Sequence, residues 1–495
     1  MTTLAEQVAA IPGRTSPDNS GQFLDADAGR AAMARIVEET QGATIAANAL
    51  APGSVEQTVA GALTALWRRP GGGLPGPLLA QIGDSRHAGG ILSNSPSFGR
   101  QMQSAGAWIE FLTFGRVRSP TTYNMAVGGT GPSDLDGQIT NVLVLSPLPT
   151  HCAILTGTNA INNATTAAGL MSGMQDSFRA AWSRLLAAGI VPVTCLDLPR
   201  QWTDTTLTAA VKRGLHNELN NWLRAAAPLY RSLLIDPVWQ LTDQTNVNGE
   251  CLGSLYQVES PYIHPGPTGG YLVGNAYKTL FESMGLPPRY VGLGQGDKYD
   301  ATNNPRGNLL PEGGLFLSSG GGLTGSPAPT GVAPLGWNLR NDLNFADLTA
   351  VGSLEARTDG PGNWFKVVAS STGQPAIVLV YNQATYNLAI GDTVQFAIDV
   401  MMDASSSIDQ CAVYLDDRTA SGASVNRGEY AMQFGSLPTV GAMPATFAGR
   451  AITNPLTLSS GWVTLRHSVA VQLKTGGSVT FRVGAAELRK VPATI

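Results

Sequence analysis

Charge is scarce in this chain of 495 residues. Only 13% of the side chains are Asp, Glu, Lys or Arg, the 31 basic and 35 acidic residues leave a net charge of -4, and no polybasic run occurs. Nucleic acid is therefore not an expected partner, because a phosphate backbone is neutralised by clustered Lys and Arg. Cysteine is scarcer still. Four residues, Cys152, Cys195, Cys251 and Cys411, with no C-x-x-C pair, exclude a disulfide framework and the common zinc ribbons, so free thiols are expected, Cys152 and Cys195 packed within apolar strands. No apolar run reaches the roughly 18 residues of a membrane-spanning helix, and the opening Met1-Thr2-Thr3-Leu4-Ala5-Glu6 lacks the basic and apolar regions of a secretory signal. The expectation is a soluble protein without membrane insertion, not exported by that route. The glycine run at 319–322 is not followed by Lys-Ser/Thr, which excludes a phosphate loop, and no His and carboxylate cluster stands at metal-ligand spacing. Neither metal nor other cofactor is expected.

Glycine (58) and proline (31) are plentiful, so loops should be many and strands short, while 43% hydrophobic residues suffice for real cores. Residues 1–70 are Ala-rich, with weak helical patterns at Asp25–Thr40 and Ser54–Trp67 and too little apolar surface for a core of their own. The run from Arg69 to Pro77 breaks regular structure and places a domain start near 77. From 77 to about 290, strand-length apolar runs (Leu78–Ile82, Cys152–Thr156, Ile190–Leu196, Leu233–Ile235) alternate with helical patterns (Ala167–Ala188, Leu207–Ala227). Such alternation predicts an α/β domain with a parallel sheet, whose functional residues gather at the carboxyl ends of the strands. Residues 291–336 are rich in Gly, Pro, Ser and Asn and read as a linker. From 337 to 495, short runs such as Trp364–Val368, Ala376–Tyr381, Val394–Val400, Gln410–Leu415, Val463–Val469 and Ser478–Val483 predict an all-β sandwich, expected to be separate from the α/β domain.

The first of these apolar strands stops at Gly83-Asp84-Ser85, which puts Ser85 at a strand's carboxyl end. By itself this is also an ordinary turn. Three later segments add chemistry in order. Tyr123 to Gly131 is a glycine-rich bend whose N-H groups could approach an oxyanion; Cys152 to Asn159 is a second apolar strand ending in Gly-Thr-Asn, whose amide could donate into the same cleft. Tyr262-Ile263-His264-Pro265 then leads into a helical pattern, where a loop histidine could act as general base.

Serine, glycine, asparagine and histidine in this order resemble the SGNH, or GDSL-type, hydrolases, over about residues 77–290. The resemblance implies a flavodoxin-like three-layer α/β domain in which Ser85 is the nucleophile, His264 the base, and Gly129 and Asn159 the oxyanion donors together with the Ser85 N-H. Asn124 anchors the second block; Ala126 stands where the family often has glycine, and Gly128 is the fallback for Gly129. One position departs from the family. The aspartate three residues before the histidine is Pro261 here, which cannot accept a hydrogen bond through its side chain. The imidazole is then held by a backbone carbonyl, leaving a Ser85–His264 dyad, or by a carboxylate from elsewhere, such as Glu259, Asp236 or Asp243. Among the other histidines, His87 is expected at the rim of the site, His216 on a solvated helix face and His151 in a loop.

The segment Asn308 to Gly314, followed by Pro329-Thr330-Gly331 and Gly336-Trp337, resembles the opening of carbohydrate-binding-module-like jelly rolls, over about 308–495. Trp364, Tyr381, Tyr386, Tyr414 and Trp462 are candidates for stacking on sugars, although most such rings fill a core. Together these resemblances imply a serine esterase that removes acyl groups, acetyl above all, from a bacterial surface polysaccharide. They suit a phage virion, a tail protein attached to other virion proteins through residues 1–70; a homo-oligomer is compatible with this. The alternative is a structural or receptor-binding virion protein whose hydrolase-like fold only recognises glycan.

Overall fold

The computed structural model describes residues 76–89, 99–246, 248–257, 259–286, 295–343, 345–405, 407–434 and 446–491. The helical patterns at 25–40 and 54–67 lie outside the described residues. The α/β part runs β1 (Leu79–Gly83), α1 (Ser85–Ala88), β2 (Gly99–Gln101), α2 (Ala105–Leu112), α3 (Leu135–Leu143), β3 (His151–Leu155), α4 (Thr158–Asn163), α5 (Leu170–Ala187), β4 (Val191–Cys195), α6 (Ala209–Leu229), β5 (Leu233–Ile235), α7 (Val238–Leu241) and α8 (Pro267–Ser283). The expected strands and the two long helices thus stand within a few residues of their predicted limits.

Strands β1-β3-β4-β5 pair in parallel, and residues 118–127 run along the free edge of β1, with Met125 N-H donating to Gln81 O and Val127 N-H to Gly83 O. Alternate strand residues serve opposite faces, as the two-residue strand period requires. Ala80, Ile82, Cys152 and Ile154 pack with Ile139, Phe178, Trp182 and Leu219 from α3, α5 and α6. Leu79, Ala153, Leu155 and Val193 pack with Ile109, Val273, Tyr277 and Phe281 from α2 and α8. The result is the three-layer arrangement expected from the alternation of strands and helices.

The β part contains β6 (Gly322–Thr324), β7 (Thr330–Gly331), β8 (Asn338–Leu343), β9 (Leu348–Ala356), β10 (Asn363–Ser371), β11 (Ala376–Ala384), β12 (Thr393–Met402), β13 (Ile408–Arg418), β14 (Ser424–Gln433), β15 (Phe447–Ile452), β16 (Leu456–Thr457), β17 (Thr464–Leu473) and β18 (Ser478–Lys490). They form two sheets, β15-β12-β18-β10-β9-β7 with β16 beside β12, and β2-β14-β13-β17-β11-β8-β6. The inward residues of both sheets meet in one core, which gives the jelly-roll-like sandwich.

The stretch read as a linker is, from residue 295 on, part of this sandwich. Asn308 is buried; its Nδ2 donates to Ala486 O, its Oδ1 accepts the Leu488 N-H, and Leu309 N-H donates to Leu488 O. Arg489 pairs with Asp297, and β6 and β7 extend one sheet each. Composition misleads here because the glycines supply turns between short edge strands rather than slack.

Independence of the sandwich is a second expectation the structure overturns. Strand β2 leaves the α/β part to pair in parallel with β14, and α2, all eight of whose residues are buried, packs against β15. Trp108 stands at the junction. Its ring centroid lies 5.2 Å from Phe447, 6.1 Å from Phe434 and 5.3 Å from Tyr271 of α8, and its Nε1 donates to Met102 O at 2.8 Å. Gly449 permits the approach, since a Cβ there would sit 2.3 Å from Phe111 O. Deleting the sandwich would strip these aromatic faces, so the two parts are expected to unfold together. Trp108→Ala should cost about 3–5 kcal/mol, read as a lower urea midpoint in a single transition shared by far-UV dichroism and fluorescence; two separated transitions in the wild type would contradict the shared core.

Candidate active site

Gly83 ends β1 at φ +127, where a Cβ would meet Leu155 O at 2.0 Å, so the turn into Ser85 requires glycine. The glycine is clamped by one amide: Gln138 Oε1 accepts the Gly83 N-H at 2.6 Å and Gln138 Nε2 donates to Gly83 O at 2.9 Å. Asp84 then caps α1, accepting the Arg86 N-H at 3.0 Å. Ser85 is thereby presented at the first position of a short helix, over the carboxyl edge of the sheet.

Ser85 Oγ lies 2.8 Å from His264 Nε2. On the other side of the ring, His264 Nδ1 stands 3.0 and 3.1 Å from the two carboxylate oxygens of Glu259. A carboxylate offers only acceptors, so Nδ1 carries the proton and Nε2 is free to accept from the serine hydroxyl. Among the three carboxylates considered for orienting the ring, Glu259 is the one in place; Asp236 pairs with Arg224 and Asp243 accepts from Thr245. The same Glu259 oxygen also accepts the backbone N-H groups of Ile263 (2.8 Å) and His264 (2.5 Å), folding the 259–264 loop around the carboxylate. Burial acts to raise the Glu259 pKa, but hydrogen bonds from the His264 ring and backbone outweigh it and hold the carboxyl below its ordinary range. A glutamate five residues back thus reaches where an aspartate three residues back would, with Pro261 in the turn between.

The other expected residues are close by. Asn124 Nδ2 donates to His87 O at 2.9 Å, tying the glycine bend to α1, and the Cβ position of Gly128 would lie 3.7 Å from Ser85 Cβ. Gly129, at φ +82, has nothing within 4 Å of that position, so Gly128 is the glycine against the serine. Neither glycine N-H makes a hydrogen bond within the described residues. Asn159 Nδ2 donates to Thr130 O at 2.9 Å, which fixes the amide beside the bend and leaves its second N-H uncommitted.

Beneath the serine lies a charge cluster that sequence reasoning missed. The fully buried Arg86 guanidinium is held by Asp84 (2.6 Å) and by Asp197 at the end of β4. Burial opposes its charge, yet Asp197 and Asp84 raise its pKa above the ordinary value. His216 is buried against this cluster, its Nε2 3.0 Å from Asp197 O, rather than on a solvated face. Its helical pattern suggested otherwise because Lys212, Arg213 and Glu218 surround it in sequence. His87 is fully buried, with Nδ1 on Ile82 O at 2.9 Å, rather than at the rim, and His151 lies in β3, buried against Phe281. An apolar strand beginning at Cys152 gave no sign that its pairing starts one residue earlier. Gln138 and Asp197 carried no motif and could be found only in three dimensions.

A cavity of about 340 Å³ opens over Ser85 and His264 and is lined also by Gln103, Ser104, Gln257 and Pro265. Gln257 Nε2 donates to Gln103 Oε1 at 2.8 Å, and Gln257 N-H to His264 O at 2.9 Å. No leucine, isoleucine, valine or phenylalanine lines it among the described residues. Ser85, Gln103, Ser104, Gln257 and His264 bring groups that can hydrogen-bond a hydroxyl to its wall.

A parallel sheet with the strand-end serine, glycine bend, asparagine and histidine at one edge is an SGNH-hydrolase-type fold. No protein-family model matches the chain, and neither does any curated protein. Similar solved structures include an acetylxylan esterase from Geobacillus stearothermophilus (15% identity, 42% of this chain and 94% of that one, TM-score 0.32) and a GDSL-like lipase from Bacteroides thetaiotaomicron (13%, 42% and 89%, 0.31). A carbohydrate-binding module of the β-sandwich superfamily is similar at 16% identity, over 31% of this chain and 57% of that one, with a TM-score of 0.23. The likeness is one of fold.

Buried histidines give the protein an acid sensitivity. Burial lowers the pKa of His87 and His151 to about 4, and that of His467, enclosed by Trp337 and Phe396 in the sandwich core, to about 3. Between these values and the unfolded value of roughly 6.5 the unfolded chain binds more protons, so stability falls as pH falls through that window. The depressed Glu259 carboxyl adds stability above its unfolded pKa, lost at lower pH still. The thermal midpoint should decline steadily from pH 7 to 4, and His151→Gln should flatten the decline; a midpoint level over this range would contradict the burial.

Proposed function

We propose that this chain is a serine esterase that removes short acyl groups, acetyl above all, from a polysaccharide. The contact chain Ser85–His264–Glu259 carries the reading. In the proposed reaction His264 takes the Ser85 proton as Oγ attacks the ester carbonyl, Glu259 stabilises the imidazolium, and N-H groups of Ser85, of the 128–129 glycine pair and of the Asn159 side chain meet the oxyanion. Collapse of the tetrahedral intermediate releases the sugar hydroxyl, protonated by His264, and leaves an acyl-enzyme on Ser85. Water, deprotonated by His264, then frees the carboxylate. The hydrogen-bonding side chains of Gln103, Ser104 and Gln257 around the cavity support a hydroxylated leaving group.

The remainder of the proposal, a phage tail protein that meets a bacterial surface polysaccharide and attaches through residues 1–70, is supported by the sequence alone: an Ala-rich segment with too little apolar surface for its own core. Among the described residues no helix is long and apolar enough to cross a membrane.

A fluorophosphonate should label Ser85, and p-nitrophenyl acetate should turn over far faster than the octanoate. Ser85→Ala and His264→Ala should abolish turnover, Glu259→Gln should reduce kcat by up to about four orders of magnitude, and Asn159→Ala by about two to three. Neither labelling nor turnover of acetylated glycans by a folded wild type that still binds them would leave a glycan-recognition protein instead.

A further inference from the structure

Strand β4 ends at Cys195, and the chain from 196 to 208 then forms neither helix nor strand, although residues 196–200 and Trp202 are buried. Buried backbone outside regular structure has to find its partners elsewhere, and several of those found here lead to the site. Asp197 pairs with Arg86, the residue after Ser85. Pro199 O accepts the Tyr256 hydroxyl, Gln201 N-H donates to Tyr262 O at 2.9 Å, and Gln201 Oε1 accepts the Tyr262 N-H at 3.3 Å, two residues before His264.

Arg200 makes the connection to the asparagine. Its Nη1 donates to Thr158 Oγ1 at 3.3 Å, next to Asn159, and its Nε donates to Gln201 O at 3.2 Å. The residue is 3% exposed, with its guanidinium 4.8 Å over the Trp202 ring, which in turn meets His216 of α6 at 5.8 Å. No carboxylate pairs with it among the described residues, since Asp197 is taken by Arg86 and Glu259 by His264. Burial lowers the pKa of Arg200 and Arg86 lowers it further, with Asp197 and Glu259 acting the other way. A buried cation without a carboxylate is a costly way to fill space. What the guanidinium offers over an apolar side chain is a rigid set of donors that can reach two places at once.

Helix α4 needs such a hold. It has six residues, of which Thr158 and Ile161 are buried, too little packing to place Asn159 by itself. Its far end is held in the same way by Lys212 of α6, buried and also without a carboxylate partner, whose Nζ donates to Asn162 Oδ1 at 3.4 Å and to Thr203 O at 3.0 Å. Lys212 thus ties α4 alone, Gln201 ties the histidine loop alone, and Arg200 spans both.

We propose that Arg200 is a positioning residue for ester hydrolysis, fixing the amide of Asn159 relative to the loop of His264 through Thr158 and Gln201. It touches no reacting atom and acts through the residues that do. The inference rests on the esterase reading for its effect on rate, and on the geometry alone for the joining of the two arms.

The test follows the full chain by hydrogen-deuterium exchange and by p-nitrophenyl acetate kinetics. Arg200→Met should speed exchange severalfold in both 158–163 and 259–266, Lys212→Met in the first segment alone and Gln201→Ala in the second alone, while α5 keeps wild-type protection. Arg200→Met should also lower kcat by up to about 100-fold, the cost of a misplacement of roughly 1 Å, with KM unchanged. Combined with Asn159→Ala it should lose much less than the product of the two single losses, because the amide it positions is gone. Arg200→Lys keeps the charge without the fork and should recover only a fraction of kcat; it also serves, with Lys212→Met and Gln201→Ala, if Arg200→Met does not fold. Wild-type kcat in Arg200→Met, full recovery by Arg200→Lys, losses that multiply in the double variant, or exchange that rises in neither segment would overturn the proposal. A wild type without turnover would sink the esterase reading and the effect on rate with it, while the exchange pattern would still decide whether Arg200 joins the two arms.

Discussion

Burial of α2 between the two halves of the molecule is the constraint on which the rest depends. A helix of eight residues with no exposed face has to satisfy neighbours on every side at once, and each neighbour here leads to the site. Gly106 lies against the Gln81 side chain in β1. Ser104, the helix cap, also reaches His87 O at 3.3 Å, and so holds the helix that carries the nucleophile. On another side Gly274 lets α8 come against Trp108, and α8 begins just after His264. The serine arm and the histidine arm are registered through one aromatic junction, half of which is supplied by the sandwich.

Electrostatics at the site work on two levels. The Arg86 cluster underneath, closed off by Asp84, Asp197 and His216, is fully buried and fixes backbone beneath the serine; Glu259 in the partly exposed pair above it fixes the 259–264 loop and also sets which ring nitrogen of His264 holds the proton. Paired buried charges contribute little net stability, whereas a lone one is costly. The cluster therefore reads as a device for geometry, placing the residue after Ser85, more than as a source of stability.

The strand ends and the order of motif residues were legible because they are local: a buried strand reads as an apolar run, and Gly83, Asn159 and His264 follow such runs or precede a helical one. Glu259 could be named among candidates but not chosen, since its reach depends on how the 259–264 loop wraps the carboxylate. Asp197, Gln138 and the burial of His87 and His216 were invisible, being set by which strand end lies beside which. The merging of the two halves was invisible for the same reason. Nothing local to Trp108 and Phe111 says that their ring partners Phe434 and Phe447 come from the residue after β14 and from β15. Composition was the weakest guide: glycine-rich 295–336 is woven into the sandwich, and polar β14 begins exposed yet ends in the core.

The Tyr430 hydroxyl meets Ala107 O across 323 residues of sequence. During synthesis the segment bearing Trp108 therefore leaves the ribosome long before the strands that cover it, at roughly 5–20 residues per second. For tens of seconds the nascent α/β half carries an uncovered aromatic face and an unpaired β2, the kind of surface that draws chaperones or aggregates. Loop closure over such a span is slow to be rewarded, so completion of the second half, rather than of the half with the serine, sets when the first can become native.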